Sequence, residues 1–266
     1  MHYEKIYFDP NHPDAFLTLY LSDVKKPLRD AMLVIPGGGY GCVCSDREGE
    51  PIALAYLARG MNAFVLNYTV KPSDPYIPLM EASLAMAYIR EHAEEFSIHP
   101  DHVYAVGFSA GGHLAASLAT MWNDETLNKR LSLAHGVNRP DGVVLCYAVI
   151  TPEGHFGSFQ NLLGAEIDNQ EMLHAFTVSE RVTDATPPTF LVHTATDDLV
   201  PVEKNALVMA DALTKAKIPY ELHIYPFGPH GMALSDTNTS TGEKILEDRP
   251  YARWGEDSMT FLARFH

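Results

Sequence analysis

A chain of 266 residues, 46% hydrophobic and 20% charged, is long enough to bury a large core, and its composition excludes a disordered polymer. Its formal net charge of −15, from 34 acidic against 19 basic residues, repels polyanions and argues against nucleic acids and anionic membranes as partners. No run approaches eighteen uncharged apolar residues, and the first ten residues lack the cationic start and apolar stretch of a secretion signal. The three cysteines, Cys42, Cys44 and Cys146, form no disulfide framework, and two of them without further ligands make a poor metal site. A reducing cytoplasm is the expected setting.

In chain order, short apolar runs rich in β-branched residues predict strands over 16–21, 32–35, 63–68, 103–106, 143–146, 189–194 and 221–225. Helical patterns fall between or after them, over 48–59, 79–96, 110–121, 202–216 and roughly 251–265. Several strands are continuously apolar, as when helices cover both faces of a parallel sheet, so a doubly wound α/β domain spanning 1–266 is expected. Two segments break the alternation. Residues 151–186, with glycines, Pro152 and scattered aromatics, predict a lid-like insertion with one or two short helices, and the polar segment 234–249 reads as a surface loop.

The first glycine cluster, Gly37, Gly38 and Gly39, follows the strand at 32–35 and Pro36. Glycine lets backbone amides approach a developing oxyanion, and no Gly-Lys-Ser/Thr follows that would make this a phosphate loop. Next, Gly107-Phe108-Ser109-Ala110-Gly111 stands between a strand and a helix. A serine in such a Gly-x-Ser-x-Gly turn is lifted clear of the sheet, with the positive end of the following helix aimed at the reacting carbonyl. A plain helix-capping serine is the competing reading. Gly112 is expected to serve packing, and His113 to be buried or to support the site without acting as its base.

Serine attack needs an imidazole to take its proton and a carboxylate to fix the ring's tautomer. Asp197 and Asp198 follow the strand at 189–194, and His230 follows the one at 221–225 among glycines and prolines. Each lies past the C-terminal end of a predicted strand, where open α/β sheets assemble their sites. The order Ser109, Asp197, His230 is the Ser-Asp-His order of this architecture. Asp197 is favoured over Asp198, which is expected to cap or border the next helix, and His193 is expected to be structural.

With these residues in view, the chain resembles the α/β-hydrolase superfamily, and within it the acetyl-xylan-esterase-like, xylanase-B-like or BD-type bacterial carboxylesterases. The resemblance covers nearly the whole chain. It rests on Pro36 to Tyr40, on Arg47-Glu48-Gly49-Glu50-Pro51, on Asn67-Tyr68, on Gly107 to His113, on Asp197 with Leu199-Val200-Pro201, and on Pro229-His230-Gly231. It implies an α/β-hydrolase fold with Ser109 as nucleophile, His230 as general base and acid, Asp197 as its orienting partner, and Gly38, Gly39 and Ala110 as the oxyanion hole. Related hormone-sensitive-lipase-like enzymes carry His where this chain has Pro36, which leaves open which glycine amides point inward.

The expected activity is hydrolysis of small esters, acetyl esters of sugars or xylo-oligosaccharides among them, through an acyl-enzyme and with no metal or organic cofactor. Tyr40, Phe108, His155 and Phe156 are the candidate pocket residues. An amidase or small-peptide hydrolase would use the same triad, a dehalogenase-type enzyme would carry Asp in place of Ser109, and a non-catalytic binding protein would not need all three residue types in order. The expected partner is a small-molecule ester, and homo-oligomer formation is left open.

Overall fold

The computed structural model describes residues 1–8, 13–242 and 246–265. Its strands are β1 (His2–Tyr7), β2 (Phe16–Leu21), β3 (Arg29–Ile35), β4 (Asn62–Asn67), β5 (Ile98–Phe108), β6 (Val143–Cys146), β7 (Thr189–Thr194) and β8 (Tyr220–Tyr225). They form one sheet in the order β1-β2-β4-β3-β5-β6-β7-β8. β1 and β2 run antiparallel to their neighbours, and all pairings from β4 to β8 are parallel. The sheet is the mostly parallel one of the α/β-hydrolase fold.

The helices are α1 (Ser45–Glu48), α2 (Glu50–Ala58), α3 (Tyr76–Glu91), α4 (Ala93–Phe96), α5 (Ser109–Met121), α6 (Glu125–Leu131), α7 (Phe156–Leu163), α8 (Gln170–Phe176), α9 (Ala206–Ala216) and α10 (Trp254–Leu262). Strand side chains alternate between faces, and here both faces are apolar. Leu33, Ile35, Ala105, Leu145 and Leu191 pack with α3, α5 and α9 on one side. Met32, Val34, Val106, Val144 and Val192 pack with Ile52 and Tyr56 of α2 and Trp254 and Phe261 of α10 on the other. That two-sided burial is why the central strands read as unbroken apolar runs.

Residues 151–186 carry α7, α8 and two short 3-10 turns, and their Phe159, Leu162 and Phe176 join the core on the α5 side. Segment 234–249, of which 243–245 lie outside the described residues, is the expected surface loop, with a few residues tucked inward. Ser235 and Thr239 are buried, the Ser235 hydroxyl donates to Leu246 O, and Asp248 N donates back to that hydroxyl. These two buried hydroxyl residues bond to neighbouring side chains and backbone, which pins the loop from inside. Among the described residues no helix is long and apolar enough to cross a membrane.

Candidate active site

Strand β5 ends at Phe108 and α5 begins at once with Ser109, whose φ of 52° lies in the left-handed region rare for a non-glycine residue. The turn is possible because its glycines touch backbone. A Cβ on Gly107 would sit 2.2 Å from Gly111 O, and one on Gly111 would sit 2.2 Å from the carbonyls of Ile35 and Pro36. A Cβ on Gly112 would press on Ala148 at 2.5 Å, which is the packing role expected of it. A strained, glycine-braced serine at the head of a 13-residue helix is more than a cap.

His230 lies in the loop after β8 and reaches Ser109 Oγ with Nε2 at 2.8 Å and Asp197 Oδ2 with Nδ1 at 2.8 Å. Asp197 is acceptor-only when ionised, so Nδ1–H donates to it and Nε2 accepts from the serine hydroxyl. Burial would raise the Asp197 pKa, but hydrogen bonds from His193 and His230, the His230 charge and the Val200 amide outweigh it and hold the carboxyl well below the ordinary range. The other carboxyl oxygen accepts from Leu199 N at 3.1 Å and Val200 N at 2.9 Å. The turn is thus capped by Asp197, not by Asp198, which is exposed. His193 is fully buried and donates from Nε2 to Val200 O, a structural place behind Asp197.

The loop carrying His230 is held at both ends. Gly228 N donates to Thr196 Oγ1, and Gly228 O accepts from the hydroxyls of Thr194 and Thr196. On the far side, Arg47 donates to Gly231 O and, at 3.0 Å, to Thr239 O.

The glycine run lies against the elbow, and a Cβ on Gly37 would meet Ser109 Cβ at 3.0 Å. Gly37 N donates to Glu48 Oε2 at 2.8 Å, which removes it from the candidate oxyanion donors and leaves Gly38, Gly39 and, in the first turn of α5, Ala110 as the candidates. Glu48 was missed as a site residue, although it stands in the Arg47-to-Pro51 motif. Its buried carboxylate also accepts from Tyr147 OH at 2.7 Å, and Tyr147 in turn accepts from Ala233 N and sets its ring edge-on to His230 at 5.0 Å. Burial raises the Glu48 pKa against the lowering by those two hydrogen bonds. One carboxylate therefore ties the glycine loop to the wall behind the imidazole.

Two expected pocket residues are corrected. Tyr40 is 1% exposed, its φ of 56° turns the ring into the core, and its hydroxyl donates to His113 Nδ1 at 2.8 Å. Phe108 is 0% exposed, because strand alternation directs it to the α10 side, where it packs on Tyr147 and Trp254. Phe156 is 50% exposed and lines a groove with Leu173, His174 and Thr177 whose walls include none of Ser109, Asp197 and His230. His155 stands within electrostatic reach of both His230 and Asp197. His113 is buried, with Nε2 donating to Phe176 O at 2.8 Å.

Residues 17–212 match the BD-FAE family profile. The chain belongs to the BD-FAE family. As a BD-FAE protein it is 40% identical over 252 residues, 91% of its own length, to endo-1,4-beta-xylanase B of Butyrivibrio fibrisolvens, of which the match covers 39%. It is 30% identical over 84% of its length to an acetylxylan esterase of Xylanibacter ruminicola, covering 45% of that protein. The BD-FAE chain thus spans less than half the length of these two relatives. Among solved structures it resembles an acetyl ester-xyloside bifunctional hydrolase from Caldicellulosiruptor lactoaceticus (TM-score 0.77, 38% identity, 96% of this chain and 92% of that one). It also resembles a sugar hydrolase from Lactococcus lactis (TM-score 0.82, 32% identity, 99% and 98%). Other proteins it matches are named as a carboxylic ester hydrolase of Mycobacterium tuberculosis and a carboxylesterase of Lactobacillus plantarum.

Proposed function

We propose that the chain hydrolyses short-acyl esters, acetylated sugars and xylo-oligosaccharides among them, through an acyl-enzyme on Ser109. The observation that carries this reading is the unbroken chain of two 2.8 Å contacts from Ser109 Oγ through His230 to Asp197. His230 Nε2 removes the hydroxyl proton as Oγ bonds to the acyl carbon, and the C=O electron pair becomes an oxyanion. Gly38, Gly39 and Ala110 donate their amides to it. As the intermediate collapses, the imidazolium returns its proton to the departing alkoxide. Water, deprotonated by the same ring, then attacks the acyl-serine and releases the acid. Asp197, ionised far below neutrality, steadies the positive ring in both halves.

The sugar-ester substrate class draws support from the relatives named for acetylxylan, acetyl ester-xyloside and sugar hydrolysis. Steady-state hydrolysis of 4-nitrophenyl esters of rising chain length, alongside acetylated xylo-oligosaccharides, tests it. Acetate or another short acyl group is expected to give the highest kcat/KM, and preference for long chains contradicts the reading. Ser109→Ala is expected to lower kcat by a factor on the order of 10⁴ or more with the fold intact, and to abolish labelling by a fluorophosphonate probe.

A further inference from the structure

The first turn of α7 stands over the glycine loop. Ser158 Oγ lies 3.8 Å from where a Cβ on Gly39 would sit, and Asn161 Nδ2 donates to Gly39 O at 2.9 Å. His155 is the cap residue of α7, and its ring meets Ser158 Oγ at 2.8 Å, which seats it beside the residue that stands over Gly39.

The tautomer of His155 is fixed by its neighbours. Ser158 N donates to His155 Nδ1 at 3.2 Å, and since an amide can only donate, Nδ1 holds a lone pair there. The neutral ring then carries its proton on Nε2. Ser158 Oγ meets the same nitrogen at 2.8 Å and holds the ring's orientation. Burial and the neighbouring His230 charge both push its pKa down, against Asp197, so the ring stays neutral when His230 becomes charged. The ring is half-buried, and among the described residues Nε2 meets no hydrogen-bond partner.

An acetyl group has no acceptor beyond the ester itself, so a donor placed to read such a substrate must read its alcohol half. In a sugar acetate, hydroxyls and the ring oxygen flank the ester. We propose that His155 is a specificity-determining residue whose Nε2–H donates to a hydroxyl or ring oxygen in the alcohol half of the ester, favouring acetylated sugars over esters of alcohols without such acceptors. This rests on the esterase reading above and adds to it the side chain that reads the sugar.

The test compares kcat/KM on a monoacetylated methyl xyloside with kcat/KM on 4-nitrophenyl acetate, in the wild-type chain, in His155→Asn and in His155→Gln. Asn keeps an acceptor for the Ser158 amide and so preserves the cap, while withdrawing the distal donor. In His155→Asn the xyloside-to-aryl ratio is expected to fall about tenfold, mainly through KM, as for a lost hydrogen bond to a non-reacting part of the substrate. His155→Gln, which returns a donor at similar reach, is expected to recover part of that ratio, with thermal melts checking that both variants fold. An unchanged ratio in His155→Asn overturns the proposal, whether both activities fall together or neither falls. A wild-type chain inert toward both esters and unlabelled at Ser109 removes the esterase reading itself, a result distinct from an active enzyme with an unmoved ratio.

Discussion

His113 sits where the elbow helix meets the lid, accepting from Tyr40 OH on one nitrogen and donating to Phe176 O from the other. With both nitrogens bonded to neutral partners in a fully buried place, a second ring proton would meet no compensating negative charge, and burial lowers the pKa from 6.5 to about 4. The unfolded chain takes that proton near pH 6.5, whereas the folded chain resists until about pH 4. The ring's contribution is therefore fully present above pH 6.5 and is lost as pH falls toward 4, by about 3 kcal/mol in all and about 2 kcal/mol by pH 5. Urea unfolding at pH 7 and pH 5 should show this loss in the wild-type chain and a shallower one in His113→Gln. Equal pH slopes would sink the assignment. The sequence indicated His113 as support because it follows the elbow by four residues, but could not indicate its partners, which come from residues 40 and 176. Glu48 and Tyr147 were hidden for the same reason: their 2.7 Å contact joins positions 99 residues apart, and neither residue type is unusual where it stands. Ser109, Asp197 and His230, which the structure brings into hydrogen-bond contact, could be singled out because each follows a strand end in a fixed order, a local signal.

At the scale of elements, apolar runs revealed seven of the eight strands, while β1 escaped because it is an exposed edge strand with no apolar run to betray it. Three expected helices are interrupted: at Gly49 between α1 and α2, at His92 between α3 and α4, and at Asn205 before α9. Asn205 is taken up by tertiary bonds, accepting from Ile150 N at 2.8 Å, which no helical periodicity can reveal. The glycine loop shows the reverse case, a local motif whose spacing fixes its shape. Gly38 has a φ of 127°, and a Cβ there would sit 2.2 Å from Cys42 O, so the backbone must move to admit one. Gly39 has a φ of 64° and meets only Ser158 Oγ at 3.8 Å, so alanine there costs only the left-handed conformation, about 1–2 kcal/mol. Gly38→Ala is therefore expected to lower kcat by about 10²–10³, the cost of one displaced oxyanion donor, and Gly39→Ala by much less. Steady-state kinetics with a thermal melt for each variant check this. A larger loss in Gly39→Ala would mean that Gly39 supplies the essential amide.

Across the whole molecule, the excess of acids sets the terms on which a substrate approaches. A net charge of −15 makes the surface potential negative on average, and the site's own carboxylates, Asp197 and Glu48, are buried behind the reacting serine. A neutral acetyl sugar crosses that field at no cost, whereas an ester bearing a carboxylate in its acyl chain is repelled before it binds. The contrast belongs to the long-range field, so salt should erase it: the Debye length falls from about 30 Å at 0.01 M to about 3 Å at 1 M. At low ionic strength, kcat/KM for 4-nitrophenyl succinate is expected to lie well below that for the neutral butyrate ester, with the gap narrowing steadily as salt rises and butyrate itself little changed. Parallel salt curves for the two esters would show instead that the discrimination arises in the pocket, from contacts close enough to escape screening.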